Sequence, residues 1–115
     1  MRYALLIYGD ETRERTEAEN QALMQDYEQF TRWLRGTGKI MGGAPLERTD
    51  SATTIRVRDQ KTVRSDGPCV ANKEHLGGFF IVQAADLEDA IAIAEKVPGA
   101  KSGSVEVRPI PNWEM

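Results

Sequence analysis

The sequence predicts an α+β fold with the element order β-α-β-(β-hairpin)-β-α-β. Three observations support it. Residues 3–8 and 78–84 form runs that are apolar on both faces of a strand, and residues 16–34 and 86–97 carry apolar side chains at helical spacing. Residues 53–66 alternate in polarity as a hairpin does. The length of 115 residues fits one domain over residues 1–115.

The first strand is predicted over Tyr3–Tyr8, a run of mostly β-favouring residues without a charge. Thr16 and Glu19 then have the spacing of a capping box, which indicates that a helix begins there. Gly36 and Gly38 indicate its end. The apolar stripe of this helix consists of Ala22, Leu23, Tyr27, Phe30 and Leu34.

The hairpin over residues 53–66 has two possible registers. A two-residue loop at Asp59-Gln60 would place Val63 on the arginine face. A three-residue loop that adds Lys61 pairs Val57 with Val63 and keeps the apolar residues together, so we prefer it. The expected polar face then consists of Arg56, Arg58, Thr62, Arg64 and Asp66.

The second half repeats the strand–helix–strand pattern. A strand at 78–84 is followed by Asp86 as the cap of a helix, by Pro98-Gly99 as its stop, and by a last strand, Ser104–Ile110. The inner stripe of this helix consists of Leu87, Ala90, Ile91, Ala94 and Val97. With a short extended segment at 39–46, the order is that of a ferredoxin-like split βαβ fold with an inserted β-hairpin.

Two helices cover only one face of such a sheet, while its two central strands are apolar on both faces. An exposed apolar patch of that size is unusual on a monomer, so we expect a homodimer packed sheet to sheet. The alternative is that the hairpin folds back over this face. We expect Trp113 and Met115 to lie across the partner or the end of the sheet layer.

Composition argues against several partners. The net charge is −3 and neither half of the chain is basic, so we expect no nucleic acid. No run of 18 apolar residues exists, and the apolar N-terminal run is too short for a signal peptide, which predicts a cytoplasmic protein without membrane contact. One His and one Cys predict no metal site, and no glycine motif predicts a cofactor.

Two residues are candidates for proton transfer. Asp66 ends a strand before Gly-Pro, where it could serve as a general acid or base, or only bond the backbone of its own turn. His75 follows nine residues later and could form a dyad with Asp66, or be an exposed loop histidine. We predict Asp66 and His75 as the catalytic pair.

Three further residues are predicted to bind substrate. Tyr8 and Asp10 follow the end of a central strand, although each also has a structural interpretation, in the core or at a helix start. Arg64, with its two neighbouring arginines, could hold a carboxylate or simply form a solvated edge. Cys69 could be a nucleophile beside His75, but we favour a small buried hydrophobe.

Six segments, taken in order and spacing, resemble the YCII-related proteins, in particular the DGPF subgroup. They are Tyr8–Glu11, Gly42–Leu46, Thr54–Asp59, Ser65–Pro68, Lys73–Phe80 and Gly103–Pro109. The resemblance implies a dimeric α/β barrel of two ferredoxin-like protomers. It also implies that some relatives are enzymes on ring-cleavage or chlorinated aromatic intermediates, and that others are partners encoded beside extracytoplasmic-function sigma factors.

Two departures from this family pattern bear on function. Cys69 stands where the subgroup motif has Phe, and no His lies near the first helix, where family members proposed as enzymes have theirs. We therefore keep two hypotheses. The first is a cofactor-independent acid–base enzyme acting on a small organic acid or ring compound. The alternative is a non-catalytic ligand-binding or partner protein, associated with such a sigma factor.

Overall fold

The structure is a computed structural model that describes residues 1–112. The predictions for Trp113 and Met115 lie outside these residues. The elements are β1 (Arg2–Gly9), α1 (Glu17–Thr37), β2 (Ile40–Pro45), β3 (Thr53–Arg58), β4 (Lys61–Asp66), β5 (His75–Gln83), α2 (Leu87–Ala94) and β6 (Ser104–Ile110). Short 3₁₀ turns occur at Thr49–Ser51 and Pro98–Lys101. The predicted element order is confirmed.

The main sheet has four antiparallel strands in the order β2-β5-β1-β6. The strands β1 and β5 are therefore central, as their two-sided apolar character predicts. This is the strand order of the ferredoxin-like split βαβ fold, which confirms the predicted fold class. The hairpin β3–β4 forms a separate two-stranded sheet.

The helix ends follow the predicted signals. Thr16 Oγ1 accepts a hydrogen bond from the N–H of Glu19 at 3.1 Å, and the Glu19 carboxylate accepts from the N–H of Thr16 at 3.1 Å. Gly38 ends α1 in the left-handed conformation with φ of 74°. Asp86 caps α2, which ends three residues before Val97.

The core lies between the two helices and one face of the main sheet. Along β1, Tyr3 and Leu5 are buried, whereas their neighbours Ala4 and Leu6 are only half-buried. This alternation fixes which face contacts the helices. The largest fully buried side chains are Leu5, Leu34, Val82 and Val97.

The opposite face of the sheet, which we call the open face, carries apolar side chains that no helix covers. It is defined by three cross-strand pairs of β1 and β5: Ala4 with Ile81, Leu6 with Phe79, and Tyr8 with Leu76. All six residues are half-buried. The structure does not place the hairpin over this face, because every residue of β4 is exposed.

The predicted three-residue hairpin loop is wrong. Arg58 pairs with Lys61, so the loop has two residues, Asp59 and Gln60, with φ of 51° and 66°. Two successive left-handed residues are typical of a type I′ turn, whose twist matches that of the flanking strands. This local turn geometry decided the register against the apolar pairing of Val57 with Val63.

The corrected register also changes the faces of the hairpin. Ile55 pairs with Arg64 and Val57 with Thr62, while Val63 lies opposite Arg56 on the other face. The predicted polar face is therefore wrong, because Arg64 and Asp66 share their face with the two apolar residues of β3.

The protomer is flat and extended. Its principal extents are 47 × 43 × 18 Å, and its radius of gyration is 16.1 Å, whereas a compact domain of this length has a radius of gyration of about 13 Å. Ile55 and Val57 of the hairpin are 55% and 60% exposed. Within residues 1–112, no other element covers two apolar surfaces, the open face and the hairpin.

Candidate functional site

A cavity of about 680 Å³ opens between α1 and the β2 side of the main sheet. Helix α1 contributes one row of residues spaced four apart, which therefore lie on the same face of the helix. This row consists of Leu23, Tyr27, Thr31 and Arg35. The apolar side chains of Ile7 and Phe80 line the cavity from the sheet.

The cavity exists because the strands facing α1 carry few side chains there. Gly42, Gly43 and Ala44 of β2 and Gly77 and Gly78 of β5 all line it. At Gly43, with φ of 154°, a Cβ atom would lie 2.5 Å from the carbonyl oxygen of Phe79, so β2 and β5 tolerate no side chain at this position. The two glycine pairs of the sequence thus allow close backbone approach and leave space for a ligand.

One end of the cavity holds three of the five predicted site residues. Tyr8, Asp10 and His75 all line it, together with Glu11. The strand register explains this, because Gly9 at the end of β1 pairs with His75 at the start of β5. The loop that begins at Asp10 therefore lies beside the histidine.

Asp10 is an ionised carboxylate, and only one of its two oxygens accepts hydrogen bonds within residues 1–112. The N–H and hydroxyl of Thr12 donate to its Oδ1 at 2.9 and 2.6 Å. These hydrogen bonds lower the pKa of Asp10 below its ordinary value, and the nearby charges of Lys73 and His75 add to the effect. Within residues 1–112, Oδ2 accepts no hydrogen bond, so it can contact a ligand or orient an imidazole.

Both carboxylate oxygens of Glu11 accept hydrogen bonds in a structural contact. The N–H and hydroxyl of Thr49 donate to its Oε1 and Oε2 at 2.8 and 2.7 Å. These hydrogen bonds lower the pKa of Glu11, with a smaller contribution from the charge of His75. Glu11 therefore connects the cavity rim to the segment before the hairpin rather than serving a ligand.

Tyr27 lies on the α1 side of the cavity. Its hydroxyl oxygen accepts a hydrogen bond from the N–H of Gly99 at 3.1 Å, and partial burial raises its pKa. Arg13, Arg15 and Arg35 also line the cavity. Arg15 was not among the predicted site residues, and Tyr27 was predicted only as part of a helix stripe. The spacing does show the row from Leu23 to Arg35, which is apolar at one end and charged at the other.

The structure does not bring the other two predicted site residues to this cavity. Arg64 and Asp66 are exposed on β4 and do not line it. His75 instead lines the cavity with Asp10 and Glu11, and its charge contributes to lowering the pKa of both carboxyls. The interpretation of Cys69 as a buried hydrophobe is wrong, because this residue is exposed, with its sulfur 3.9 Å from the Arg56 guanidinium.

Residues 1–112 contain no group of three or more His, Cys, Asp or Glu side chains that could hold a metal ion. Over the same residues, no helix is both long and apolar enough to cross a membrane.

Comparison with known proteins agrees with the fold. The model of the YCII-related domain matches residues 1–114, and an uncharacterised protein of Rhizobium meliloti (strain 1021) is 35% identical over 114 residues, covering 96% of this chain and 92% of the relative. The chain belongs to the YCII-related family, as the resemblance predicts. Its assignment to the DGPF subgroup stays a prediction.

A solved structure is similar in fold. It is the 5-chloro-2-hydroxyhydroquinone dehydrochlorinase of Burkholderia phenoliruptrix AC1100 in complex with 2,5-dihydroxybenzoquinone. The TM-score is 0.51 at 16% identity, and the match covers 96% of this chain and 94% of the other. At this identity the similarity establishes the fold alone.

Proposed function

We propose that the cavity binds a small ring compound or organic acid and that His75 and Asp10 carry out acid–base chemistry on it without a cofactor. The observation that carries this proposal is the convergence of Tyr8, Asp10 and His75 at one end of a cavity of about 680 Å³. Cavities of about 300–1,000 Å³ are typical of small-molecule sites.

Each of these residues has a defined role in the proposal. The imidazole of His75 can both accept and donate a proton, so His75 takes a proton from the bound ligand and returns it to a neighbouring ligand atom. Asp10, ionised because its pKa is lowered, stabilises the imidazolium between the two transfers. Tyr8 forms part of the wall at this end of the cavity.

The related fold supports the ring-compound part of the proposal. The dehydrochlorinase of similar fold acts on a chlorinated hydroxyhydroquinone and is bound to a dihydroxybenzoquinone. The cavity in this chain has apolar walls from Ile7, Leu23 and Phe80, against which a flat ring can pack.

We also propose that the protein is a cytoplasmic homodimer in which the open faces of two copies pack together. The apolar pairs of the open face support this, since each would otherwise remain in contact with water. The exposed Ile55 and Val57 of the hairpin extend the apolar surface available to a second copy. Arg64 and Asp66 remain predicted site residues. They would reach a cavity only if the hairpin of one copy lay against the cavity of a second copy.

The alternative function, a non-catalytic binding protein, is favoured by the exposed hairpin, which offers a surface for another protein. An association with a sigma factor stays a prediction. Catalysis separates the two hypotheses, because only the enzyme moves protons on a ligand bound at the cavity.

Proton exchange tests the enzyme hypothesis. The protein is incubated in D₂O with hydroxyquinones, hydroquinones and small keto acids, and deuterium incorporation is followed by ¹H NMR. We expect exchange on at least one compound, and its loss in His75→Gln and Asp10→Asn but not in the control Asp26→Asn, an exposed position of α1 that does not line the cavity. Loss of exchange in Asp66→Asn alone would show that the catalytic site lies at the hairpin. Binding without any exchange would favour the non-catalytic alternative.

A further inference from the structure

A second polar cluster lies in the same cavity, on its α1 side. The Tyr27 oxygen accepts the Gly99 N–H at 3.1 Å, which leaves its own O–H as a donor. That O–H donates to no acceptor among residues 1–112. Tyr27 is only half-buried but lines the cavity, so a bound ligand can supply the missing acceptor.

Arg15 provides a positive charge beside this donor. It immediately precedes the helix cap Thr16, is half-buried, and lines the cavity. It shares the cavity lining with Tyr27, and its positive charge lowers the pKa of the Tyr27 hydroxyl against the larger effect of burial. Within residues 1–112, Arg15 forms no ion pair.

The carboxylates of Glu19, Asp10 and Glu11 each accept hydrogen bonds from other residues, although Oδ2 of Asp10 accepts none within residues 1–112. Glu19 is held by Thr16 in the capping box. Asp10 and Glu11 accept hydrogen bonds from threonines that follow them in the chain. The cavity therefore combines uncommitted cationic and hydroxyl donors on one side with apolar walls, which is the arrangement that recognises an organic anion.

We infer that Tyr27 and Arg15 form a carboxylate subsite, and that the ligand of this cavity is a ring carboxylic acid. The inference rests on the proposed function, because the ring would extend from this subsite toward His75 and Asp10. The carboxylate accepts the Tyr27 O–H and a guanidinium N–H, while the ring packs on Ile7 and Phe80.

A matched ligand pair tests the subsite. The probes are 2,5-dihydroxybenzoate and 2,5-dihydroxybenzamide, which differ in the charge of one substituent, and affinity is measured by ligand-observed NMR. We expect wild type to bind the acid about tenfold more tightly than the amide, because a hydrogen bond to a charged group is the stronger one. Tyr27→Phe and Arg15→Gln should remove this preference while amide binding persists.

Two further variants make the test specific. Arg32→Gln removes a positive charge from α1 at a position that does not line the cavity, and it should keep the preference. Gly99→Ala places a Cβ atom 2.6 Å from the Tyr27 hydroxyl, so it should displace that donor and reproduce the effect of Tyr27→Phe without changing the tyrosine.

The outcomes distinguish this inference from the proposed function. Equal affinity of acid and amide in wild type would overturn the carboxylate subsite and leave the ring-binding cavity in place. Binding of neither probe would contradict both. Inorganic phosphate in tenfold excess should not displace the acid, because it lacks the ring contacts, and displacement would overturn the carboxylate assignment in favour of a phosphate site.

Discussion

Thr49 donates to both carboxylate oxygens of Glu11, through its backbone N–H at 2.8 Å and its hydroxyl at 2.7 Å. Arg48 adds a hydrogen bond from its guanidinium to the Glu11 carbonyl oxygen at 3.1 Å. These contacts join the segment after β1 to the segment before the hairpin. The rim of the cavity and the root of the hairpin are thus fixed relative to each other.

The Glu11–Thr49 contact predicts a specific pH dependence of stability. The pKa of Glu11 is lowered from its ordinary value of 4.5, so folding favours the ionised form. The resulting stabilisation is complete above the ordinary value and is lost as the pH falls through the lower pKa of the folded state. Urea unfolding at pH 7 and pH 3 should therefore show that Glu11→Gln is destabilised at pH 7 and closer to wild type at pH 3.

The control for this experiment is Glu14→Gln, because the Glu14 side chain accepts no hydrogen bond within residues 1–112. It should follow the wild-type pH dependence. A stability difference between Glu11→Gln and wild type that does not change with pH would contradict the account of Glu11.

The capping box of α1 predicts a measurable loss of stability. Thr16→Ala removes the acceptor of the Glu19 N–H, and N-cap substitutions of this kind cost about 1 kcal/mol. Thr16→Ser retains the hydroxyl and should remain within a few tenths of a kcal/mol of wild type. Chemical denaturation measures both variants, and equal stability of the two would show that the cap does not stabilise the folded chain.

The homodimer proposal predicts a mass in solution of twice the 12.8 kDa of one chain. Ile81→Asp introduces a charge on the open face at a position that does not line the cavity, so it should give monomers by light scattering at micromolar concentration. Met24→Asp, on an exposed position of α1, should remain dimeric. A monomeric wild-type protein, or a dimeric Ile81→Asp, would contradict sheet-to-sheet packing.

Much of the fold was predictable because its signals are local. The Thr16–Glu19 spacing and the Asp86 cap mark helix starts whatever the tertiary structure. Apolar pairing could not predict the hairpin register, because the conformation of Asp59 and Gln60 decided it and the apolar residues on both faces of the hairpin are exposed.

The site was predictable only in part. Tyr8, Asp10 and His75 adjoin the ends of two central strands, and the sheet order alone brings them together. The predicted pairing of Asp66 with His75 was based on their separation of nine residues in the sequence. That separation does not define the direction in which the hairpin projects from the main sheet. Arg15 could not be singled out, because nothing in the sequence distinguishes an arginine without an acidic partner from one in an ion pair.

Both proposals require that a ring compound binds at the cavity end formed by Tyr8, Asp10 and His75. Titration of ¹⁵N-labelled protein with 2,5-dihydroxybenzoate, followed by ¹H–¹⁵N correlation spectra, tests it most directly. We expect the largest chemical-shift changes at the backbone amides of Gly9, Asp10, His75 and Gly78, and we expect these changes to weaken in His75→Gln. Changes confined to residues 53–66, or their complete absence, would contradict it.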